Sequence, residues 1–297
     1  MATAFCPAHI TGFFKAELNK ENSKELGSLG AGFSIQKGVK TTVTIRNKTK
    51  HDISNFTIKV NGFESGDMRV SEVVLSKFPT KEKFVDVIHE IDVPVGYGFG
   101  SSAAVALSLA IALNDALECK LSKIKVAQIA HDVEIECKTG LGDVLASYHG
   151  GFEIRDKPGA PGIGHVQKIS LNKISIIMIC FSPISTSKFI KERLPQINGL
   201  GGKMVNKLLE SKNYEHFQEM SLEFAKYVDV MTPRMQKVVN ELSKNNIKCG
   251  IALFGETIFS MIPKENENKV LEILEKYSDG IIIKSELDDV GARVLHN

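Results

Sequence analysis

Between Pro94 and Ala103 the chain reads PVGYGFGSSA, with Gly96, Gly98 and Gly100 at alternate positions and Ser101 and Ser102 opening an unbroken helical pattern. Glycine lets an anion approach backbone N–H groups without meeting a Cβ, and a helix N-terminus leaves such groups unpaired. The stretch therefore describes a phosphate-type anion site. It also fits a tight strand-to-helix turn with Ser101 or Ser102 as N-cap. Gly98-x-Gly100-x-x-Ala103 has the spacing of a dinucleotide fingerprint, but Pro94 breaks into the preceding strand and the position for a ribose-binding acid falls before another helix. A P-loop fails as well, because no lysine precedes Ser101 or Ser102.

These residues need elements to hold them. Upstream, TAFC, GFSIQ, KTTVTIRN, FTIKVNG and HEIDVPV read as strands of one mostly antiparallel sheet, separated by glycine-rich turns. Helices are expected at about 102–118 and 123–137, and GGFEIRD returns to strand. Partly segregated strand and helix blocks favour an α+β chain. The loop KPGAPGIGH, dense in proline and glycine, predicts a domain boundary, giving units 1–165 and 166–297. Beyond it, ISIIMICF, helices between about 187 and 244, CGIALFG, TIFSMI, a helix near 266–277 and GIIIK suggest a second α/β sandwich.

The 297 residues are 43% hydrophobic and 24% charged with a net charge of +2, the profile of an ordinary globular protein. With no tryptophan and no cluster of lysine and arginine, a dedicated nucleic-acid binder is not expected. The N-terminus lacks the charged-then-apolar pattern of a secretory leader, so the mature chain is expected to start there. The longest apolar runs fall short of the roughly 20 residues a membrane helix needs. Five cysteines without paired spacing are expected to be reduced thiols of a cytoplasmic protein.

PVGYGFGSSA resembles the second motif of the GHMP small-molecule kinases, where a proline precedes a glycine-rich loop and a Ser-Ser-Ala helix start. The resemblance implies an N-terminal nucleotide-binding domain like the second domain of ribosomal protein S5, and a C-terminal ferredoxin-like α/β sandwich. It implies ATP and Mg²⁺, with Pro94, Gly96, Gly98, Gly100, Ser101, Ser102 and Ala103 at the phosphates. Such kinases need an acid for the metal and another near the acceptor hydroxyl. At 100° per residue, Val126, Ile129, Ala130, Val133 and Cys137 share one helical face. His131 and Glu134 flank that face, while Asp132 and Glu136 project oppositely, so Glu134 with Ser102 is the expected metal pair. A solvated charge is the plain alternative for Glu134. Asp143, in TGLGDV, resembles the family's catalytic aspartate, or is a helix N-cap.

CPAHITGFF looks like a variant of the first GHMP motif, with His9 where lysine is common. Together with GSLGAGFSIQKGV, GGFEIR and KPGAPGIGH it resembles the archaeal pantoate kinases, over the first 165 residues. That implies phosphorylation of pantoate to 4-phosphopantoate on the route to coenzyme A, and a homodimer. It places Ser28, His131, Arg155, Thr186 and His9 around the acceptor. A guanidinium fork suits pantoate's carboxylate, although Arg155 could equally pair with a cross-strand acid. Ser28 could be a turn residue, and Thr186 one of three candidate N-caps. In CGIALFGETIF only Gly250 and Gly255 remain of a usually richer third motif, which leaves its ligand contact open. Two other readings keep a place: a related kinase acting on homoserine, shikimate or mevalonate, and a regulator that binds a nucleotide or metabolite without turnover.

Overall fold

β-Branched residues at alternate positions build the first sheet. In the second half of β2 (Gly27–Asn47), Val39, Thr41 and Val43 are buried while Lys40 and Thr42 are partly exposed, the period-two pattern of a strand with one covered face. A computed structural model describes residues 1–61, 63–64, 68–184 and 186–296, the side chains of 63, 64, 186 and 187 excepted. β2 pairs antiparallel along its length with β1 (Ala2–Glu17). The two runs expected as separate strands, GFSIQ and KTTVTIRN, are thus one 21-residue strand. Register shifts at Pro7/Ala8 and Thr11/Phe13 let so long a pair bend.

The other strands are β3 (Phe56–Val60), β4 (Phe63–Glu64), β5 (Lys83–Ile91), β6 (Phe152–Lys157), β7 (His165–Ile169), β8 (Ile174–Pro183), β9 (Gly250–Ala252), β10 (Gly255–Pro263), β11 (Ile281–Glu286) and β12 (Arg293–Leu295). The first sheet runs β12-β1-β2-β5-β3-β4, with β6 and β7 added beside the N-terminal half of β2. Among the described pairings only β3 with β5 is parallel. The second sheet is antiparallel in the order β11-β8-β10-β9. This is the α+β arrangement expected. The loop read as a boundary joins β6 to β7 within the first sheet, and β12 returns to that sheet from the end of the chain.

The helices are α1 (Arg69–Ser76), α2 (Ser101–Ala116), α3 (Lys123–Cys137), α4 (Asp143–His149), α5 (Thr186–Ser211), α6 (Tyr214–Tyr227), α7 (Pro233–Lys244) and α8 (Glu267–Leu274). α2 is apolar almost all round, from Ala103 to Leu113, as befits a helix enclosed between a sheet and other helices. β1 is buried on both faces because α2 packs on one side of its sheet while α5 and α6 lie against it as well. Phe13, Phe33, Phe152, Phe217 and Phe259 interlock where the two sheets meet, so the glycine-rich turn and the second sheet belong to one packed body. No helix among the described residues is long and apolar enough to cross a membrane. Cys6, Cys180 and Cys249 are buried, Cys119 and Cys137 partly so, and all five are free thiols.

Candidate active site

The turn between β5 and α2 is held open by backbone. Gly96, Gly98 and Gly100 have φ of +87°, +88° and +56°, conformations that side chains disfavour. A Cβ at Gly98 would lie 2.5 Å from the Leu253 carbonyl oxygen. The glycine-poor third motif forms the β9–β10 hairpin and supports this turn through Thr257 Oγ1, which donates to Tyr97 O (2.9 Å); past the end of β8, Ile184 N donates to Gly96 O (3.0 Å), and Leu253 N ties the hairpin to Thr11 O of β1 (3.1 Å). Gly100, not a serine, is the N-cap of α2, and no side chain caps the helix. Ser101 and Ser102 fall in its first turn with their hydroxyls free for other partners.

Ser102 Oγ donates to Glu134 Oε1 (2.7 Å), and Thr139 Oγ1 donates to the same oxygen (2.9 Å). Glu134 is 2% exposed. Burial, and then the charge of Asp143, push its carboxyl up to about 7, against the pull of the Ser102 and Thr139 hydroxyls. Glu136 instead lies on the surface beside Lys77, and Asp132 accepts from Ser23. A buried carboxylate whose ionisation a neighbouring carboxylate opposes, with hydroxyl oxygens beside it, fits a hard cation. The described residues contain no group of three His, Cys, Asp or Glu able to cage a metal alone. A site completed by phosphate oxygens, as magnesium sites commonly are, matches that donor set.

Asp143 is the first residue of α4, with Gly142 as its N-cap. Two cavities meet at its side chain. One, about 50 Å³, is lined by Gly96, Gly98, Gly100, Ser101, Ser102 and Thr139; the other, a narrow cleft of about 10 Å³, by Thr11, Phe14, Ser28, Gly140, Leu141, Gly142 and Ile190. Asp143 and Phe254 border both. A third, larger hollow of about 380 Å³ adjoins Ser101 and Ser102 and is walled by Val60, Val70, Ile91, Val95 and Val105.

Behind Asp143 lies a buried ionic cluster. His9 Nδ1 is 2.9 Å from Asp143 Oδ1 and His9 Nε2 is 3.0 Å from Glu153 Oε1. Arg155 Nη1 donates to Glu153 Oε1 (2.5 Å). Burial alone would raise the Asp143 carboxyl, but the hydrogen bond and charge of His9, then Arg155 and Thr11, outweigh it and hold the group below the ordinary range. His9 is raised: burial works against its charge, and the Asp143 and Glu153 carboxylates prevail.

The structure thus brings Ser102, Glu134 and Asp143 together and sets Ser28 across the second cavity. A Cβ at Gly142 would lie 2.9 Å from Arg155 Nε and collide with Ser28 Oγ, so these groups converge. Arg155 is 1% exposed and, like His9, lines neither cavity. His131 is not brought to Asp143; its Nε2 donates to Ser23 O (3.2 Å), and burial lowers its pKa. Pro94 precedes the turn, and Ala103 is buried in α2. Thr186 opens α5, whose Ile190 borders the second cavity, but its side chain lies outside the described residues. Sequence reading missed Thr11, Thr139, Phe254 and Glu153. Only Glu153 left a signal there, because residues two apart on a strand share a face and Arg155 had been placed.

Residues 68–151 match the GHMP kinases N-terminal domain. Across 91% of the chain, this protein is 33% identical to pantoate kinase of Methanocaldococcus jannaschii, covering 96% of that protein. It is 30% identical to pantoate kinase of Thermococcus kodakarensis, with 91% of each covered. The chain belongs to the GHMP kinase family. A solved phosphotransferase related to the CoA biosynthesis pathway superposes on this kinase with a TM-score of 0.88 at 28% identity, over 98% of this chain and 97% of the other. Homoserine kinase from Cytophaga hutchinsonii, at 18% identity, shares the fold with a TM-score of 0.67 over 99% and 97% of the two chains. The α+β expectation and the family resemblance both hold, and ATP follows as the family's phosphoryl donor.

Proposed function

We propose that this kinase transfers the γ-phosphoryl group of ATP to a hydroxyl of pantoate, giving 4-phosphopantoate for coenzyme A synthesis in an archaeal cytoplasm. One observation carries the kinase chemistry: an uncapped, glycine-lined helix start and a narrow cleft with Thr11 and Ser28 in its wall meet at a single ionised aspartate, Asp143. The choice of pantoate rests on the full-length likeness to proteins named pantoate kinase.

In this reading the triphosphate lies along Gly96–Ser102 and accepts from the free N–H groups of α2. The apolar hollow beside Ser101 takes the nucleoside. Ser102 and Glu134 would hold Mg²⁺, which supplies charge neutralisation for the phosphates when bound. Asp143 accepts a hydrogen bond from the acceptor hydroxyl and points its oxygen at the transferring group. Its lowered pKa makes it a weak base, suited to taking the proton late in a loose transition state. Ser28 and the Gly142 turn line the floor where pantoate's carboxylate sits, with Arg155 packed behind them against Glu153. His131 fixes the 23–26 turn that leads into Ser28. Thr186 is proposed at the mouth of the same cavity, and a homodimer follows from the resemblance alone.

ADP release measured with ATP, Mg²⁺ and, in turn, pantoate, homoserine, shikimate and mevalonate tests the reading. Turnover with pantoate alone is expected. Turnover with another acceptor would overturn the acceptor assignment, and no turnover with any would leave a nucleotide-binding regulator.

A further inference from the structure

One largely buried polar feature of the molecule is not a cavity. It is the line Asp143–His9–Glu153–Arg155, which runs from the joined cavities into the first sheet. Glu153 is fully buried, and Arg155 is the largest fully buried side chain. A Cβ at Gly32 would lie 2.5 Å from His9 Nε2, so the ring fills the space that this glycine leaves on β2.

We infer that Glu153 is a positioning residue that keeps His9 doubly protonated, so that this histidine serves Asp143 as a fixed cation. The inference rests on the kinase reading only for its consequence in catalysis. Each ring nitrogen faces a carboxylate oxygen at hydrogen-bond distance, and an ionised carboxylate can only accept. Both nitrogens must therefore donate. A neutral ring would set a lone pair against one of the two carboxylates in a buried site, where an unmatched contact is most costly.

The remaining neighbours divide, and Arg155 works against the charge. From β1, Thr11 Oγ1 is 3.4 Å from His9 Nδ1 and donates to Asp143 Oδ1 at the same distance. From β6, the Arg155 guanidinium lies 3.3 Å from Nε2 and opposes the charge on His9. It is itself held by the same Glu153 oxygen. Two carboxylates, one guanidinium and one imidazolium sum to zero, the balance a buried cluster requires. Among the described residues Glu153 Oε2 and Arg155 Nε have no hydrogen-bond partner. Glu153 is thus retained without full satisfaction, which suits an electrostatic task better than a purely structural one. A cation fixed behind Asp143 keeps its carboxylate ionised and aimed as charge moves through the reaction.

The test begins with the ligand-free wild-type protein. ¹⁵N-histidine NMR is expected to show His9 with two protonated nitrogens at pH 7.5; a neutral, singly protonated ring there would overturn the inference. Next, kcat for pantoate is followed from pH 6 to 9.5 in wild type and Glu153→Gln. The alkaline limb should move down by at least one pH unit in the variant, so that kcat at pH 8 falls about tenfold more than at pH 6. An unmoved limb, or an equal loss at every pH, would mark Glu153 as structural and sink the proposal. His9→Lys carries its charge without help, so adding it to Glu153→Gln should restore the alkaline activity. If Glu153→Gln fails to fold, the wild-type spectrum still decides. Should His9 be doubly protonated in a protein that does not phosphorylate pantoate, the charge assignment stands and the substrate reading falls.

Discussion

Two histidines lie under the same sheet, both almost completely buried, and they carry opposite instructions. His9 sits between the carboxylates of Asp143 and Glu153. His89 sits between hydroxyls: Thr41 Oγ1 is 2.8 Å from its Nδ1, Ser71 Oγ is 3.0 Å from its Nε2, and Ser108 Oγ extends the chain through Thr41 (2.6 Å). Burial alone drives His89 down to about 4. The same burial acts on His9 and is overruled. Hydroxyls can donate or accept and so adapt to a neutral ring, whereas paired carboxylates dictate a charged one. The neutral network stitches α1 and α2 to the sheet; the charged one ends at Asp143.

The sharpest way to break the charged side is to remove the group it serves. Asp143→Asn keeps shape and loses the accepting charge, so kcat should fall roughly a hundred- to ten-thousandfold, read by steady-state kinetics on protein that circular dichroism shows to be folded. Full turnover would detach Asp143 from catalysis while leaving the kinase reading in place. Next in size is the comparison itself. His9→Leu strands two buried carboxylates with one guanidinium and should destabilise the fold by about 3–5 kcal/mol in urea unfolding. His89→Leu leaves only neutral hydroxyls, for which about 1–3 kcal/mol is expected. Equal losses would show that the carboxylates around His9 add nothing beyond packing.

Much of this was legible beforehand because it is local. The PVGYGFGSSA turn, the Lys123–Cys137 helix and the inward position of Glu134 against the exposed Glu136 follow from periodicity and turn chemistry within a dozen residues. What was not legible depends on residues far apart. Nothing near His9 announces that positions 143 and 153 close around it, since that needs β1, β2 and β6 in register. Arg155 shows the limit well: the sequence left open a cleft-facing guanidinium or one paired with a cross-strand acid, and its acid, Glu153, lies two residues away on the same buried strand. The length of β2 was hidden by glycines that sequence reads as breaks and the sheet absorbs.

The smallest effects come from two buried groups with opposite slopes. Unfolded His89 takes a proton near 6.5 but folded His89 only near 4, so stability drains as pH falls across that window. Glu134 behaves in reverse. Its unfolded carboxyl titrates near 4.5 and its folded one near 7, so without metal the folded state gains stability as pH falls from 7 to 4.5. Each linkage is about 3 kcal/mol in full, and over their shared range they nearly cancel. Urea unfolding of the metal-free wild type should therefore vary little between pH 7 and 4.5 from these two groups. Glu134→Gln should expose the acid lability of His89, and His89→Gln should make the protein firmer toward acid. Parallel profiles for all three proteins would mean that neither group is shifted as its surroundings require. Adding Mg²⁺ with nucleotide should stabilise the wild type progressively less as pH drops below about 7, because the proton and the metal compete for the same Glu134 oxygens.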